Sequence, residues 1–151
     1  MTDFFHAYDI RSTADELGEE EMLQLGKSYG TFIDADQVAL VRDGRKHSER
    51  HAKAFANGLK STGIEVLLGG LEPTPAAYHA AWSRDIPAAA VTASHNPPEY
   101  TGVKFASPGG AALSREAGMA EIQEIYESKN FDEGDGQITE ANFGGEYAEH
   151  I

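Results

Sequence analysis

Through the middle of this chain, short apolar runs alternate with segments of helical periodicity, and that alternation leaves few architectures open. Gln37-Val38-Ala39-Leu40-Val41, Ile64-Glu65-Val66-Leu67-Leu68 and Pro87-Ala88-Ala89-Ala90-Val91-Thr92 are each too short for a helix and apolar enough for a buried strand. Between the first two lies a stretch from Glu49 to Thr62 with Ala52, Phe55, Ala56 and Leu59 on one face, which predicts a helix capped by Ser48 and ended by Gly63. Between the second and third, Thr74 reads as a cap with Pro75 at the first position of a short helix to Arg84, and Tyr78 and Trp82 read as core aromatics. Strand, helix, strand, helix, strand requires crossover connections. The expected fold is therefore α/β, a three-layer α/β/α sandwich on a mixed, largely parallel sheet.

The flanks extend the same pattern. Phe4 to Arg11 reads as a first strand, followed by a polar loop from Ser12 to Gly18. Glu19 to Ile33 carries Met22, Leu25, Gly26, Tyr29, Phe32 and Ile33 at helical spacing, with three glutamates at the end where a helix dipole favours them. Gly102 to Phe105 has strand character, so it and Pro87 to Thr92 frame a stiff tip. Ala106 to Leu113 is a glycine-rich loop that lacks the order of a Walker phosphate loop, and Ser114 caps a helix to Ser128. Residues 1–130 are expected to form one domain, and residues 131–151 an acidic linker with the start of a second. Asp132-Glu133-Gly134-Asp135-Gly136 misses the register of a calcium loop.

Composition narrows the partners. With 151 residues and 40% hydrophobic content the chain can bury a real core. No apolar stretch is long enough to span a membrane, and no signal peptide opens the sequence. The absence of cysteine removes disulfides, thiol catalysis and cysteine-bound zinc, so a cytoplasmic setting is expected by default. A formal charge of -13 argues against nucleic acid or an anionic membrane as partner. The charge is uneven, however: Arg42, Arg45, Lys46, Arg50 and Lys53 fall close together, while residues 132–151 hold six carboxylates and no lysine or arginine. A local anion site is compatible with the global sign.

The chemistry concentrates in Thr92-Ala93-Ser94-His95-Asn96-Pro97-Pro98. Two prolines after Asn96 forbid helix and hold the backbone extended or turned, presenting the Ser94 hydroxyl just past a strand end. A Ser/His hydrolase pair is disfavoured, because neighbouring side chains on extended backbone point to opposite sides and no Gly-x-Ser-x-Gly elbow is present. Thr92 to Pro97 matches the phosphoserine loop of the α-D-phosphohexomutases, the family containing phosphomannomutase and phosphoglucomutase. Ala7-Tyr8-Asp9-Ile10-Arg11 resembles an element near the start of its bacterial members, with Ser12 in place of the usual glycine. Arg42-Asp43-Gly44-Arg45 resembles the family's arginine loop in part, Pro73-Thr74-Pro75 has a counterpart there, and Lys104 follows Thr101-Gly102 where the family carries Asn-Gly before a lysine.

The resemblance implies the catalytic-serine domain, the first of four, of an enzyme that interconverts hexose 1-phosphate and 6-phosphate through a phosphoserine and a hexose 1,6-bisphosphate. It implies Ser94 as phosphoryl carrier and, through its phosphate, as a magnesium ligand. Lys104, Arg11 and His95 are implied in the catalytic group, and Asn96, Arg42 and Arg45 at the phosphate. Mg2+ would take most of its ligands from a second domain. The implied partners are mannose or glucose phosphates and the enzyme's remaining domains, and the isolated chain is expected to have little or no mutase activity. On the residues alone, a noncatalytic module binding a sugar phosphate or a partner protein is the alternative.

Overall fold

The alternation resolves into one sheet in a computed structural model that describes residues 4–93, 96–143 and 145. In chain order the elements are β1 (Asp9–Thr13), α1 (Glu19–Phe32), β2 (Gln37–Arg42), α2 (Ser48–Lys60), β3 (Glu65–Leu71), α3 (Thr74–Arg84), β4 (Ala88–Val91), β5 (Tyr100–Ala106), α4 (Ala120–Ser128) and β6 (Gln137–Glu140). The six strands among the described residues lie in the order β1-β5-β4-β2-β3-β6. β2 pairs parallel with both β3 and β4, and β3 parallel with β6, whereas β5 runs antiparallel between β4 and β1. The sheet is mixed and mostly parallel, as the sequence predicts.

Each face of the sheet has its own core. On one side Met22, Leu25 and Tyr29 of α1, Phe55 and Leu59 of α2 and Ile122 and Tyr126 of α4 pack against Ile10, Leu40, Val66, Val91, Val103 and Phe105. Tyr29 stacks on Phe105 with centroids 4.3 Å apart. Helices α1 and α2 approach closely at Gly26 and Gly58, where a Cβ on either would lie 2.2 Å from a carbonyl oxygen of the other helix. On the opposite side α3 lays Ala76, Ala77, Ala80 and Ala81 on Ala39, Ala88 and Ala90. Methyl groups contribute little each, about 0.8 kcal/mol, but they let the helix sit close to the strands.

Several local expectations change. Phe4 and Phe5 do not extend β1: the chain folds back between them and Ile10, with Phe5 bridging Ile10 and both rings packed against Tyr126. Ser12 and Thr13 belong to the strand and pair with Thr101 and Tyr100. Gly69 and Gly70 continue β3 through a register shift in which Leu40 faces Leu68 and Val41 faces Gly70. Helix α3 begins a residue early, with Pro73 at the cap position. Ser48 opens α2 after His47 and spends its hydroxyl on Asp43. Trp82 is 55% exposed, not core, because it lies outside the alanine face. Ser114 caps not α4 but the short turn Arg115–Met119 ahead of it, accepting from the Ala117 amide at 3.1 Å, and the extended Gly118 separates that turn from the helix. Within the segment expected as linker, Gln137–Glu140 adds β6 to the sheet edge and Phe143 is fully buried.

Candidate functional site

The parallel strands β2 and β4 end side by side, and the loops that leave them form the site, at the carboxyl edge where open α/β sheets hold ligands. β4 leads into Thr92 and Ala93; the chain returns through Asn96 to Glu99 into β5. Ala93 is buried, and its carbonyl accepts from the Asn96 backbone amide at 3.0 Å and from Asn96 Nδ2 at 2.7 Å. Ser94 and His95, which these bonds span, lie outside the described residues. The limbs are tied to each other as well: Thr92 N donates to Gly102 O at 2.9 Å and Tyr100 N to Pro97 O at 3.0 Å.

The loop after β2 grips this turn. Arg45 directs Nη2 to the carbonyl of Asn96 at 2.8 Å and Nη1 to that of Pro97, while its Nε pairs with Asp43 at 3.0 Å. Asp43 is the hub beneath. Its carboxylate accepts from Ser48 Oγ, from the Arg45 amide at 3.1 Å, from Arg45 Nε and from Thr92. Burial pushes its carboxyl up, but these hydrogen bonds more than offset that and hold it below the ordinary range. Arg45 and Asn96, both expected at the phosphate, thus make bonds that fix the loop. Arg42 donates Nη1 to the Asp43 carbonyl at 3.2 Å.

Arg11 and Lys104 come from adjacent antiparallel strands. Asp9 is the register partner of Lys104, and Arg11 that of Gly102. Alternation along a strand sets Asp9 and Arg11 on the face opposite Ile10, and Gly102 and Lys104 opposite Val103, the face that α3 covers. Arg11 Nε pairs with Asp9 at 3.2 Å. Among the described residues no hydrogen bond or ion pair engages the Lys104 ammonium. The glycine between the two cations has a steric reason. A Cβ at Gly102 would lie 2.2 Å from the Ile10 carbonyl oxygen and 3.0 Å from that of Thr92. Gly102→Ala is therefore expected to lower stability by about 2 kcal/mol, since the strands on both sides must shift, read as a lower urea midpoint; an unchanged midpoint contradicts the close approach.

Two histidines and a threonine missed by sequence reasoning complete the site. His47 Nε2 lies 2.9 Å from the Tyr100 carbonyl oxygen, and His51 Nδ1 lies 2.9 Å from Thr101 Oγ1. His51 is 1% exposed; burial, then the nearby His47 and Arg50 charges, lower its pKa to about 4. No sequence signal marks a partnership across some fifty positions. Asp43 had one: a carboxylate binding the amide two residues on is an Asx turn, for which Asp43-Gly44-Arg45 is suited. Among the described residues no group of three or more histidines, aspartates or glutamates stands where it could hold a metal ion, so these residues do not by themselves fit magnesium. Nor is any helix among them long and apolar enough to cross a membrane.

Comparison with known proteins gives consistent matches. The model of the phosphoglucomutase/phosphomannomutase α/β/α domain I matches residues 2–133. A phosphomannomutase of Escherichia coli is 32% identical over all of this chain and 35% of its own length, and one of Vibrio cholerae is 36% identical over 97% of this chain and 34% of its own. A protein of Pyrococcus abyssi described as a probable phosphoglucosamine mutase is 36% identical, again over the whole chain and 35% of its own length. A solved phosphoglucomutase/phosphomannomutase family protein from Burkholderia thailandensis superposes with a TM-score of 0.89 at 28% identity, covering 99% of this chain and 35% of that one. The chain spans about a third of the length of these relatives.

Proposed function

Because the chain belongs to the phosphoglucomutase/phosphomannomutase family, we propose that it is the domain of a phosphohexomutase that carries the phosphoryl group, with Ser94 as the carrier. In the proposed step Ser94 Oγ attacks a phosphorus of hexose 1,6-bisphosphate. The bond from that phosphorus to the sugar oxygen breaks, and the serine proton ends on that oxygen. In the reverse step phospho-Ser94 gives its phosphoryl group to the free hydroxyl of a hexose monophosphate phosphorylated at the opposite position, which regenerates the bisphosphate and frees Ser94; loss from one position and gain at the other make the exchange between 1-phosphate and 6-phosphate. Phosphoryl transfer depends mainly on position and on neutralised charge, and the observation that most supports the reading is the clasped turn at the carboxyl edge. Arg45 and Asp43 fix its limbs from β2, while Arg11 and Lys104 share the adjoining sheet face.

The remaining roles rest on the same geometry. Arg11 and Lys104 stabilise charge on the transferring group, His95 bonds a sugar or phosphate oxygen, and Arg42 adds positive potential at the rim. Arg45 and Asn96 act through the loop, since their bonds to it are already made. Magnesium at this site takes its carboxylates from outside the described residues. Mannose and glucose phosphates are the proposed substrates, the cytoplasm the proposed setting, and the chain by itself has little mutase activity. Incubation with glucose 1,6-bisphosphate, with and without a full-length relative's remaining domains, followed by intact mass and peptide mapping, tests the reading. The expected result is one phosphoryl group on Ser94 that passes to a hexose phosphate and is lost in Ser94→Ala; no gain under either condition overturns it.

A further inference from the structure

We propose that His47 and His51 form an imidazole latch, a pair of positioning residues that hold Tyr100 and Thr101, the return limb of the Ser94 loop, against the start of α2. Its positioning role rests on the reading of Ser94 as phosphoryl carrier and adds to it how the loop is kept in place. His47 must carry its proton on Nε2, because the Tyr100 carbonyl 2.9 Å away can only accept. His51 Nδ1 and Thr101 Oγ1, 2.9 Å apart, share one hydrogen bond between two groups that are each 1% exposed. The rings lie 5.0 Å apart, His47 at the cap position before α2 and His51 in its first turn. One grips main chain and the other side chain, on consecutive residues. Loss of His51 takes from the buried Thr101 hydroxyl its ring partner, whereas the Tyr100 carbonyl keeps a longer contact with Arg45 Nη1 at 3.5 Å when His47 is lost.

The surroundings of His51 favour its uncharged state. From its own segment the charges acting on His51 are those of His47 and Arg50. From β5 the facing groups are the Tyr100 carbonyl and the Thr101 hydroxyl, neither charged. Glu19 at the start of α1 pairs with Arg50 at 3.3 Å, and Asp43 engages the first turn of α2 through Ser48. His47 also borders a cleft of about 480 Å³ with Asp15, Arg45, Lys46 and Glu99. No carboxylate bonds either ring among the described residues, so a second proton on His51 brings an uncompensated charge into the core.

The test uses the whole chain. Nitrogen-15 NMR of wild type is expected to show His51 neutral at pH 6, and the protection factors of residues 99–103, which correct for the slower intrinsic exchange in acid, to fall below pH 5 before global unfolding. Thr101→Val, which removes one hydroxyl, and His51→Leu should each speed exchange at residues 100–103 by about tenfold, the equivalent of one net hydrogen bond. His51→Asn, which keeps a polar atom near the Nδ1 position, should restore most of the protection. The rate of phosphoryl gain at Ser94 should fall in step with lost protection. A charged His51 at pH 6, or unchanged exchange in both Thr101→Val and His51→Leu, overturns the latch. Faster exchange with an unaltered phosphoryl rate overturns its positioning role. If exchange behaves as expected and wild-type Ser94 never gains phosphate, the latch stands and the Ser94 reading fails.

Discussion

Asp43→Ala is expected to destabilise the chain by about 3 kcal/mol and to free the turn that carries Ser94. The carboxylate takes bonds from Ser48, Thr92 and both the amide and the guanidinium of Arg45, whose side chain is 14% exposed. Hydrogen bonds to a charged group contribute about 1.5 to 3 kcal/mol each. The group's partial contact with water lowers that, and the four are not additive. What remains is still large, because deletion leaves a mostly buried guanidinium without its anion. Asp43→Asn, which keeps shape and loses charge, should cost about half as much. Urea unfolding at pH 7 measures both, and a loss below about 1 kcal/mol for the alanine variant contradicts the hub assigned to Asp43.

Acid should destabilise the chain in two separate windows. In the unfolded chain His51 takes up its proton near its ordinary value of 6.5; in the folded chain it does so only near 4. As pH falls between those values the unfolded state binds more protons, so stability declines by about 1.4 kcal/mol per pH unit, to a total of about 3 kcal/mol. Below the folded value both states are protonated and this contribution changes no further. Asp43 has the other pattern: its folded carboxyl lies below the ordinary range, so its stabilisation is complete above the unfolded value and is lost as pH falls through the folded one. Unfolding midpoints at pH 7, 5 and 4 should therefore drop in wild type and stay nearly level in His51→Asn. A flat wild-type profile from pH 7 to 5 removes the buried neutral imidazole.

The parts of the fold legible in sequence were those with one-dimensional causes. β2 and β4 are apolar runs between breakers and appear within a residue of their expected bounds, as does α1. Elements set by contacts from afar were not. Phe4 and Phe5 look like strand but turn away to reach Tyr126, whose position depends on α4. Gly69 and Gly70 look like a turn, yet β3 continues through them by pairing with Val41 and Arg42, and the bare Gly69 leaves room for Phe143, which a Cβ there would approach to 2.6 Å. β6 has four exposed residues and so no hydrophobic pattern; it is held to β3 by backbone pairing and by Thr139 Oγ1 donating to Glu65 at 3.2 Å. Around the candidate site the strand positions of Arg11, Arg42 and Lys104 were legible, since each lies in or at the end of a short run of strand character. That Arg45 holds carbonyls, and that two imidazoles back the return limb, needed three dimensions.

The last strand also bears on where this unit can be divided. β6 covers the outer edge of β3, and Phe143 fills the space beside Gly69 and Val41, although the family match stops at residue 133. A version shortened to that residue would bare a row of unpaired amides and carbonyls next to an empty aromatic socket, a surface that recruits other chains and drives clumping. Solubility of the piece is thus governed by a tail whose own side chains contribute almost nothing to the core before Phe143.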